Sequence, residues 1–319
     1  MILVTGSSGF IGSRLSHGLI SRDCRVRTAI RGDGPTSIDD LAKCDAIVVG
    51  GIHASTDWSV ALRGVEVVVH CAARAHVMHD RARDSLSMYR TVNVDATRRL
   101  AEQAASAGVR RLIFLSSVKA TAERSLPGHP LRVDDIPSPE DAYGISKLEA
   151  EQSLWEVSAR TGLEIVIVRP PLVYGPGVKG NFLRLLRLVS WGVPLPLGSI
   201  NNARSMVYID NLVDFLHTCV FSSASAGRTF FPSDGQDLST IALIRKLADA
   251  TGRPARLLPM PPYALMLLGR MIGKSMEIER FTATLQVDLT DARRLLDWSP
   301  PYTVDHGLGE TVTWFLNQS

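Results

Sequence analysis

Cysteine is scarce in this chain of 319 residues, which has four, at positions 24, 44, 71 and 219. Their wide spacing fits neither a disulfide framework nor a zinc site. Cys71 lies on a predicted core strand, where we expect a buried thiol. The eight histidines form no pair four residues apart on a predicted helix. We therefore predict no metal site.

Excess charge and long apolar runs are also missing. The net charge is only +3, and the arginines are dispersed, so we predict no nucleic-acid partner. The most apolar late segment, residues 261–274, is interrupted by Gly269 and Arg270 and is too short to span a bilayer. It could pack on a substrate-binding lobe or lie on a membrane surface. Because the first predicted strand begins at the chain start, we expect no signal peptide and a cytoplasmic location.

Short β-type runs alternate with helical segments along the first half of the chain. This alternation predicts an α/β fold, a Rossmann-like doubly wound parallel sheet with helices on both faces. Ligands of such sheets bind beyond the carboxyl ends of the strands. Gly6, Ala73, Ser117 and Arg169 each follow a predicted strand, so we expect them at one edge. The predicted strands are I-L-V, V-R-T-A-I, A-I-V-V, V-E-V-V-V-H, L-I-F-L and I-V-I-V.

A Pro- and Gly-rich stretch at residues 169–180 marks a domain crossing. We predict a dinucleotide-binding domain over residues 1–168, with a return segment at about 205–232. Residues 169–319 would then form mainly a smaller C-terminal substrate-binding lobe.

Gly6, Gly9 and Gly12 form a G-x-x-G-x-x-G motif between the first strand and a helix. Strand, glycine turn and helix together are the context in which such a motif indicates a dinucleotide site. The glycines let backbone N–H groups and the helix N-terminus approach a pyrophosphate.

The second predicted strand ends at Ile30 and is followed by Arg31. An enzyme that uses NAD usually has an acidic residue there for the ribose 2′-hydroxyl. Arg31, with Arg27 nearby, would instead suit a 2′-phosphate. We therefore expect NADP(H) as the preferred cofactor, with NAD(H) as the alternative.

Tyr143 and Lys147 lie four residues apart at the start of a predicted helix, so both can act on one ligand. An unperturbed tyrosine titrates near 10, which makes it a poor acid or base at neutral pH. A cation one helical turn away would lower that pKa. The pair therefore predicts an acid/base site that depends on a tyrosine.

Together these segments resemble the extended short-chain dehydrogenase/reductase family, in its nucleotide-sugar epimerase, dehydratase and reductase branch. The resemblance runs almost from end to end. The segments that carry it are residues 5–12, 70–73, 92–97, 115–117, 143–147, 169–177, 197–214 and 291–300.

The resemblance implies roles for individual residues. Ser117 would hydrogen-bond the reacting sugar oxygen, Tyr143 would exchange its proton, and Lys147 would hold the nicotinamide ribose. Asn93 would brace the site. Asn181 and Arg204 would contact the nucleotide diphosphate of a UDP-sugar. A helix pair, about residues 87–107 and the helix that starts at Tyr143, would form a homodimer. The remaining cofactor contacts would be Ser8, Phe10, Ile11, Ala72, Ala73, Ser116 and Pro170, and the remaining substrate contacts His76 and Lys119.

Within the branch, the segments at residues 73–78, 116–119, 170–182, 194–205 and 233–240 are similar to enzymes that reduce UDP-4-keto-6-deoxy-N-acetylglucosamine for surface polysaccharide. Val118 and Lys119 stand where the dehydratases have an acidic pair, so dehydration is not expected. We predict reduction of the C4 keto group of a UDP-linked 6-deoxy-hexosamine. The alternative is an NAD-dependent UDP-sugar 4-epimerase, which would use the same Ser117, Tyr143 and Lys147. A non-catalytic dinucleotide sensor, or a reductase of steroids or flavonoids, would fit these residues less well.

Overall fold

A computed structural model describes residues 1–32, 45–75, 85–271 and 275–318. Its main feature is a seven-stranded parallel sheet with the order β3-β2-β1-β4-β5-β6-β9. This arrangement confirms the predicted Rossmann-like α/β fold. The strands are β1 (Ile2–Thr5), β2 (Val26–Ile30), β3 (Asp45–Val48), β4 (Val67–His70), β5 (Arg111–Leu115), β6 (Glu164–Val168) and β9 (Arg228–Phe230), while β7 (Leu172–Tyr174) and β8 (Met206–Tyr208) pair separately.

Helices cover both faces of the sheet and form most of the regular structure outside it. They are α1 (Phe10–Ile20), α2 (Ser85–Arg90), α3 (Ala96–Ser106), α4 (Ala142–Thr161), α5 (Gly180–Ser190), α6 (Ile209–Phe221), α7 (Thr240–Ala250), α8 (Pro262–Met271), α9 (Ser275–Thr282), α10 (Thr290–Leu296) and α11 (Val304–Leu316).

The central strands are apolar at almost every position because both faces of the sheet are buried. In β1, Val4 packs into the layer that contains α1 and α6, whereas Leu3 packs into the layer that contains α3 and α4. The same alternation places Ile113 and Phe114 of β5 in opposite layers. Successive side chains of a strand point to opposite faces, so two cores form on one sheet.

A third core lies in the C-terminal part of the chain. It joins the β7–β8 pair to α5, α7 and α11 through residues such as Phe182, Leu247 and Leu308. Within the predicted return segment of about residues 205–232, β8 pairs with β7. The large sheet instead gains β9 beside β6. The domain boundary at residue 168 stays a prediction.

The helix predicted over residues 87–107 begins at Ser85 and is interrupted. A π-helical turn, Thr91–Asp95, separates α2 from α3. Such turns insert a residue into the helical ladder and often occur at functional sites. Within the described residues, no helix has both the length and the apolarity needed to cross a bilayer.

Candidate active site

The carboxyl ends of four neighbouring strands carry most of the predicted site residues. Gly6 follows β1, Ala72 and Ala73 follow β4, Ser116 and Ser117 follow β5, and Pro170 follows β6. These strands are adjacent in the order β1-β4-β5-β6. The structure therefore brings the segments to one edge, as parallel strand ends require.

The glycine loop forms a tight cradle between β1 and α1. A Cβ on Gly6, where φ is +71°, would lie 2.7 Å from the backbone nitrogen of Ala72, and one on Gly12 would lie 2.2 Å from the Gly6 carbonyl oxygen. Ser8 and Gly9 are exposed, and Phe10 and Ile11 are half-buried. Among the described residues no side chain caps the N-terminus of α1. Its first N–H groups are therefore available to an anionic ligand.

Arg27 on β2 and Arg31 just after it have different surroundings. Arg27 is held by Asp45 at 2.6 Å, and it also donates to the carbonyls of Ala61 and Arg63. Arg31 follows the end of the strand and is exposed. Arg27 is thus part of the fold, and the case for a 2′-phosphate rests on Arg31.

Ser117 and Tyr143 are brought together from β5 and α4. The Ser117 hydroxyl hydrogen-bonds to the Tyr143 side chain, and its oxygen accepts the N–H of Lys119 at 3.2 Å. Asp141 caps α4 by accepting the N–H of Gly144 at 2.7 Å, which fixes the helix start beside Tyr143. The two hydroxyls therefore form one polar unit.

Lys147 is buried one turn further along α4, with 1% of its surface exposed. Its Nζ donates to the carbonyl oxygen of Leu115 at 2.6 Å and lies 4.1 Å from the centre of the Phe114 ring. Burial lowers the pKa of Lys147 to about 7, although the charge of Glu151 opposes the shift. Desolvation thus weakens the preference of this amine for its charged form.

We expected Lys147 to lower the pKa of Tyr143, and the structure differs. Burial raises the pKa of Tyr143 and the charge of Asp141 raises it further, while the hydrogen bond with Ser117 acts in the opposite direction. The Lys147 amine donates to a β5 carbonyl, and it is not among the groups that shift the pKa of Tyr143. In this state of the protein, Ser117 is the group that favours the phenolate.

A histidine that sequence reasoning did not single out organises the end of β4. His70 is fully buried, with Nδ1 2.6 Å from the Thr5 hydroxyl and Nε2 3.0 Å from the Thr97 hydroxyl. Burial, together with the Lys147 charge, lowers the pKa of His70 to about 3, so the ring is neutral. Thr5 also accepts the N–H of Ala72 at 3.3 Å. The network ties the glycine loop to the segment after β4, and only the pairing of β1 with β4 brings these residues together.

Asn93 lies in the π-helical turn and connects three segments. Its Oδ1 accepts the N–H of Arg74 at 2.8 Å, and its Nδ2 donates to the Arg74 carbonyl and to the Ser146 hydroxyl. The Arg74 guanidinium lies over the ring of Tyr89, which contacts the Tyr143 ring edge-on at 6.1 Å. Asn93 thus holds the segment after β4 against α4.

Beneath the site lies a buried ion pair that the sequence analysis missed. Arg169 contacts Glu151 through Nε at 3.0 Å and through Nη2 at 2.5 Å, and its Nη1 donates to Thr121. Ser116 also donates to Glu151. The pair joins β6, α4 and the segment after β5. The sequence contained one indication of Glu151, because this residue is four positions after Lys147 and therefore lies on the same face of the helix.

The predicted substrate residues are less concentrated. Lys119 differs from the expectation, because its ammonium is held by Glu123 at 2.8 Å and by Asp141 at 2.5 Å. Arg204 is half-buried, and burial lowers its pKa while the charge of Glu123 opposes the shift. Asn181 is in the first turn of α5. His76 lies outside the described residues.

Cys71, which was expected as a buried thiol on a strand, follows β4 and is half-buried. Cys24, Cys71 and Cys219 are free thiols, and burial raises the pKa of Cys71 to about 12. No group of three or more His, Cys, Asp or Glu side chains is arranged to hold a metal ion in the described part of the chain.

The chain matches the model of the NAD dependent epimerase/dehydratase family over residues 2–230. It is 46% identical to a UDP-glucose 4-epimerase of Vibrio cholerae, across 99% of this chain and 95% of that protein. The protein therefore belongs to the NAD dependent epimerase/dehydratase family, which confirms the branch inferred from the sequence.

Two further relatives extend the comparison. An enzyme of Escherichia coli O157:H7, N-acetyl-alpha-D-glucosaminyl-diphospho-ditrans,octacis-undecaprenol 4-epimerase, is 28% identical across 98% of this chain and 94% of its own. A crystal structure of UDP-glucuronic acid 4-epimerase from Bacillus cereus with NAD superimposes with a TM-score of 0.81 at 23% identity, over 99% of both chains, and supports the fold. The two relatives compared by sequence are both named as 4-epimerases.

Proposed function

We propose that the protein is an NAD-dependent UDP-hexose 4-epimerase. The observation that carries the proposal is the 46% identity to a UDP-glucose 4-epimerase over nearly the whole of both chains. The reaction oxidises C4 of the sugar and reduces it again from the opposite face. It consumes no reduced cofactor.

The glycine loop fits a dinucleotide. Backbone atoms lie too close to where a Cβ of Gly6 or Gly12 would be, so only glycine permits this tight loop. The uncapped start of α1 leaves N–H groups near Gly9 for a pyrophosphate. The bound nicotinamide would supply the hydride acceptor, and Ala72 and Ala73 would line it. Lys147, already buried beside the Leu115 carbonyl, would hold the ribose.

Tyr143 and Ser117 would perform the proton chemistry. Tyr143 takes the proton of the C4 hydroxyl as the carbonyl forms, and returns it when the carbonyl is reduced. Ser117 stabilises the Tyr143 phenolate before it takes the proton and again after it returns it, consistent with its effect on the pKa of Tyr143, and it would donate to the sugar oxygen while Tyr143 is protonated. Because the Ser117 and Tyr143 hydroxyls are already hydrogen-bonded to each other before substrate binds, the two side chains need little reorganisation for the reaction.

The diphosphate of the substrate would lie between Arg204 and the start of α5. Gly180, with φ +68°, opens the helix, and Asn181 follows it. Among the described residues no side chain caps this helix, so its N–H groups can meet phosphate oxygens. The Arg204 guanidinium would add a second, charged donor.

A keto-reductase is the second candidate, and Arg31 is the observation that favours it. The residue is exposed at the end of β2, and Ile30 replaces the acidic residue that would repel a 2′-phosphate. Dehydration has less support, because Val118 is buried in a small apolar cluster and Lys119 is neutralised by carboxylates.

Nicotinamide absorbance distinguishes the candidates. The purified protein is given NAD with UDP-glucose, UDP-galactose or their N-acetyl forms, and separately NADPH or NADH with a UDP-4-keto-6-deoxy-hexosamine. Interconversion of the 4-epimers without net change in reduced cofactor is the expected result. Stoichiometric loss of NADPH with the keto sugar, and no interconversion, would replace the epimerase with the reductase.

A further inference from the structure

Helix α8 has an outward face that is apolar and exposed. Tyr263, Leu267 and Met271 are 77%, 60% and 78% exposed, although large apolar side chains are normally withdrawn from water. Residues four apart differ by about 40° around a helix, so the three form one stripe about 80° wide. Leu265 and Gly269 are buried on the opposite side. The helix thus presents apolar residues both to the protein and away from it.

Further apolar side chains are exposed on the segment that precedes α8 and on the segment paired with it. Leu258, four residues before the helix, is 53% exposed. Leu195 and Leu257 pair in a parallel bridge, which places the segment of Trp191 alongside that of Leu258. Trp191 is 71% exposed. Tryptophan and tyrosine, with an apolar ring and a polar edge, are the residues that prefer the boundary between water and lipid.

The exposed charged residues of α8 and of the segment at residues 251–261 before it are basic, whereas Asp249 and Glu277 lie just outside this stretch. Residues 250–276 contain Arg253, Arg256, Arg270 and Lys274 and no acidic residue, although Asp and Glu make up 32 of the 319 residues. Arg253, Arg256 and Arg270 are exposed. Arg270 lies within the stripe itself, about 20° from Tyr263 by helical geometry.

We propose that α8 docks on an anionic lipid surface, with Tyr263, Leu267 and Met271 inserted at the headgroup level and Arg270 and Arg256 against the phosphates. A two-fold contact between copies would bring the same cationic patch against itself, which like charges oppose. An anionic membrane surface satisfies the apolar stripe and the arginines together. The inference concerns the surface of the protein and is independent of the proposed epimerase activity.

Sedimentation with vesicles tests the docking surface. The full chain is mixed with vesicles of phosphatidylcholine alone or of phosphatidylcholine with phosphatidylglycerol, at low and high salt. We expect binding to the anionic vesicles only, weakened by salt. Leu267→Glu should reduce the binding constant at least about tenfold, because a charge replaces an inserted apolar group. Arg270→Gln should reduce it about fivefold, as expected for one cation near the surface.

The matched control is Phe221→Glu, since Phe221 is also 60% exposed on a helix but lies elsewhere. It should bind vesicles as the unmodified protein does, and all variants should keep the same unfolding temperature. Absence of vesicle binding, equal binding to neutral and anionic vesicles, or equal loss in Phe221→Glu would each overturn the proposal. A change of oligomeric state in Leu267→Glu, without vesicle binding, would assign the stripe to self-association instead.

Discussion

The buried pair of Glu151 and Arg169 offers a stringent test of how the site is supported. The side chains are 2% and 7% exposed, and they share three hydrogen bonds of 3.0, 3.2 and 2.5 Å. Replacing Glu151 with Gln keeps the shape and removes the charge, which leaves the guanidinium buried without its counter-charge. Breaking such a pair costs about 3–5 kcal/mol. The unfolding temperature should fall by roughly 5–10 °C.

The same helix carries a matched control. Glu149 forms a bidentate ion pair with Arg90, with N···O distances of 2.8 and 2.6 Å, but the two side chains are 29% and 50% exposed. Water screens this pair, so Glu149→Gln should cost less than about 1 kcal/mol. The two variants differ mainly in burial, so calorimetric or fluorescence-monitored unfolding compares that factor directly.

A double variant completes the cycle. Glu151→Gln combined with Arg169→Met removes both charges, so it should be more stable than Glu151→Gln alone. Equal shifts for Glu149→Gln and Glu151→Gln, or a double variant as unstable as the sum of the single ones, would refute the reasoning that an unpaired buried charge dominates.

Four further predictions address the chemistry and the cradle. Tyr143→Phe should lower turnover by about 10²–10⁴-fold while leaving dinucleotide affinity, measured by calorimetry, within a few-fold; unchanged turnover would remove Tyr143 from its role. Gly12→Ala should destabilise the protein by about 1–3 kcal/mol, because the new Cβ meets the Gly6 carbonyl oxygen at 2.2 Å. The control Gly309→Ala, whose Cβ meets open space on a helix, should stabilise the protein by up to about 1 kcal/mol. Equal shifts of the melting temperature in the two variants would contradict this. Burial lowers the pKa of Lys147 to about 7 from 10.5, so between these pH values the unfolded chain binds more protons than the folded one, and this group makes the free energy of unfolding rise with pH. Lys147→Met should flatten the slope of stability against pH in this range. An unaltered slope would count against the lowered pKa of Lys147. Lys119→Met should shift the pH–activity profile to higher pH, because Asp141, whose charge raises the pKa of Tyr143, loses its counter-charge. Lys119→Arg should not shift it, and identical profiles for the two variants would exclude this coupling.

The sequence was sufficient to predict the fold. The apolar runs that became β1, β4, β5 and β6 and the glycine motif after β1 are local patterns, and parallel strands with intervening helices have few packing solutions. The same rule predicted that the residues after these strands meet at one edge. The helical spacing of Tyr143 and Lys147 is equally local, since four residues fix their common face.

Only the tertiary structure decided how these groups are charged and held. The orientation of the Lys147 amine toward β5, the neutral state of His70 and the pairing of Glu151 with Arg169 depend on residues from separate strands and helices. Burial lowers the pKa values of Lys147 and His70, and burial is a property of the packed molecule. The exposure of Leu267 on α8 belongs to the same category, because an apolar residue on a helix can face a core or the solvent, and the pattern alone did not select between them.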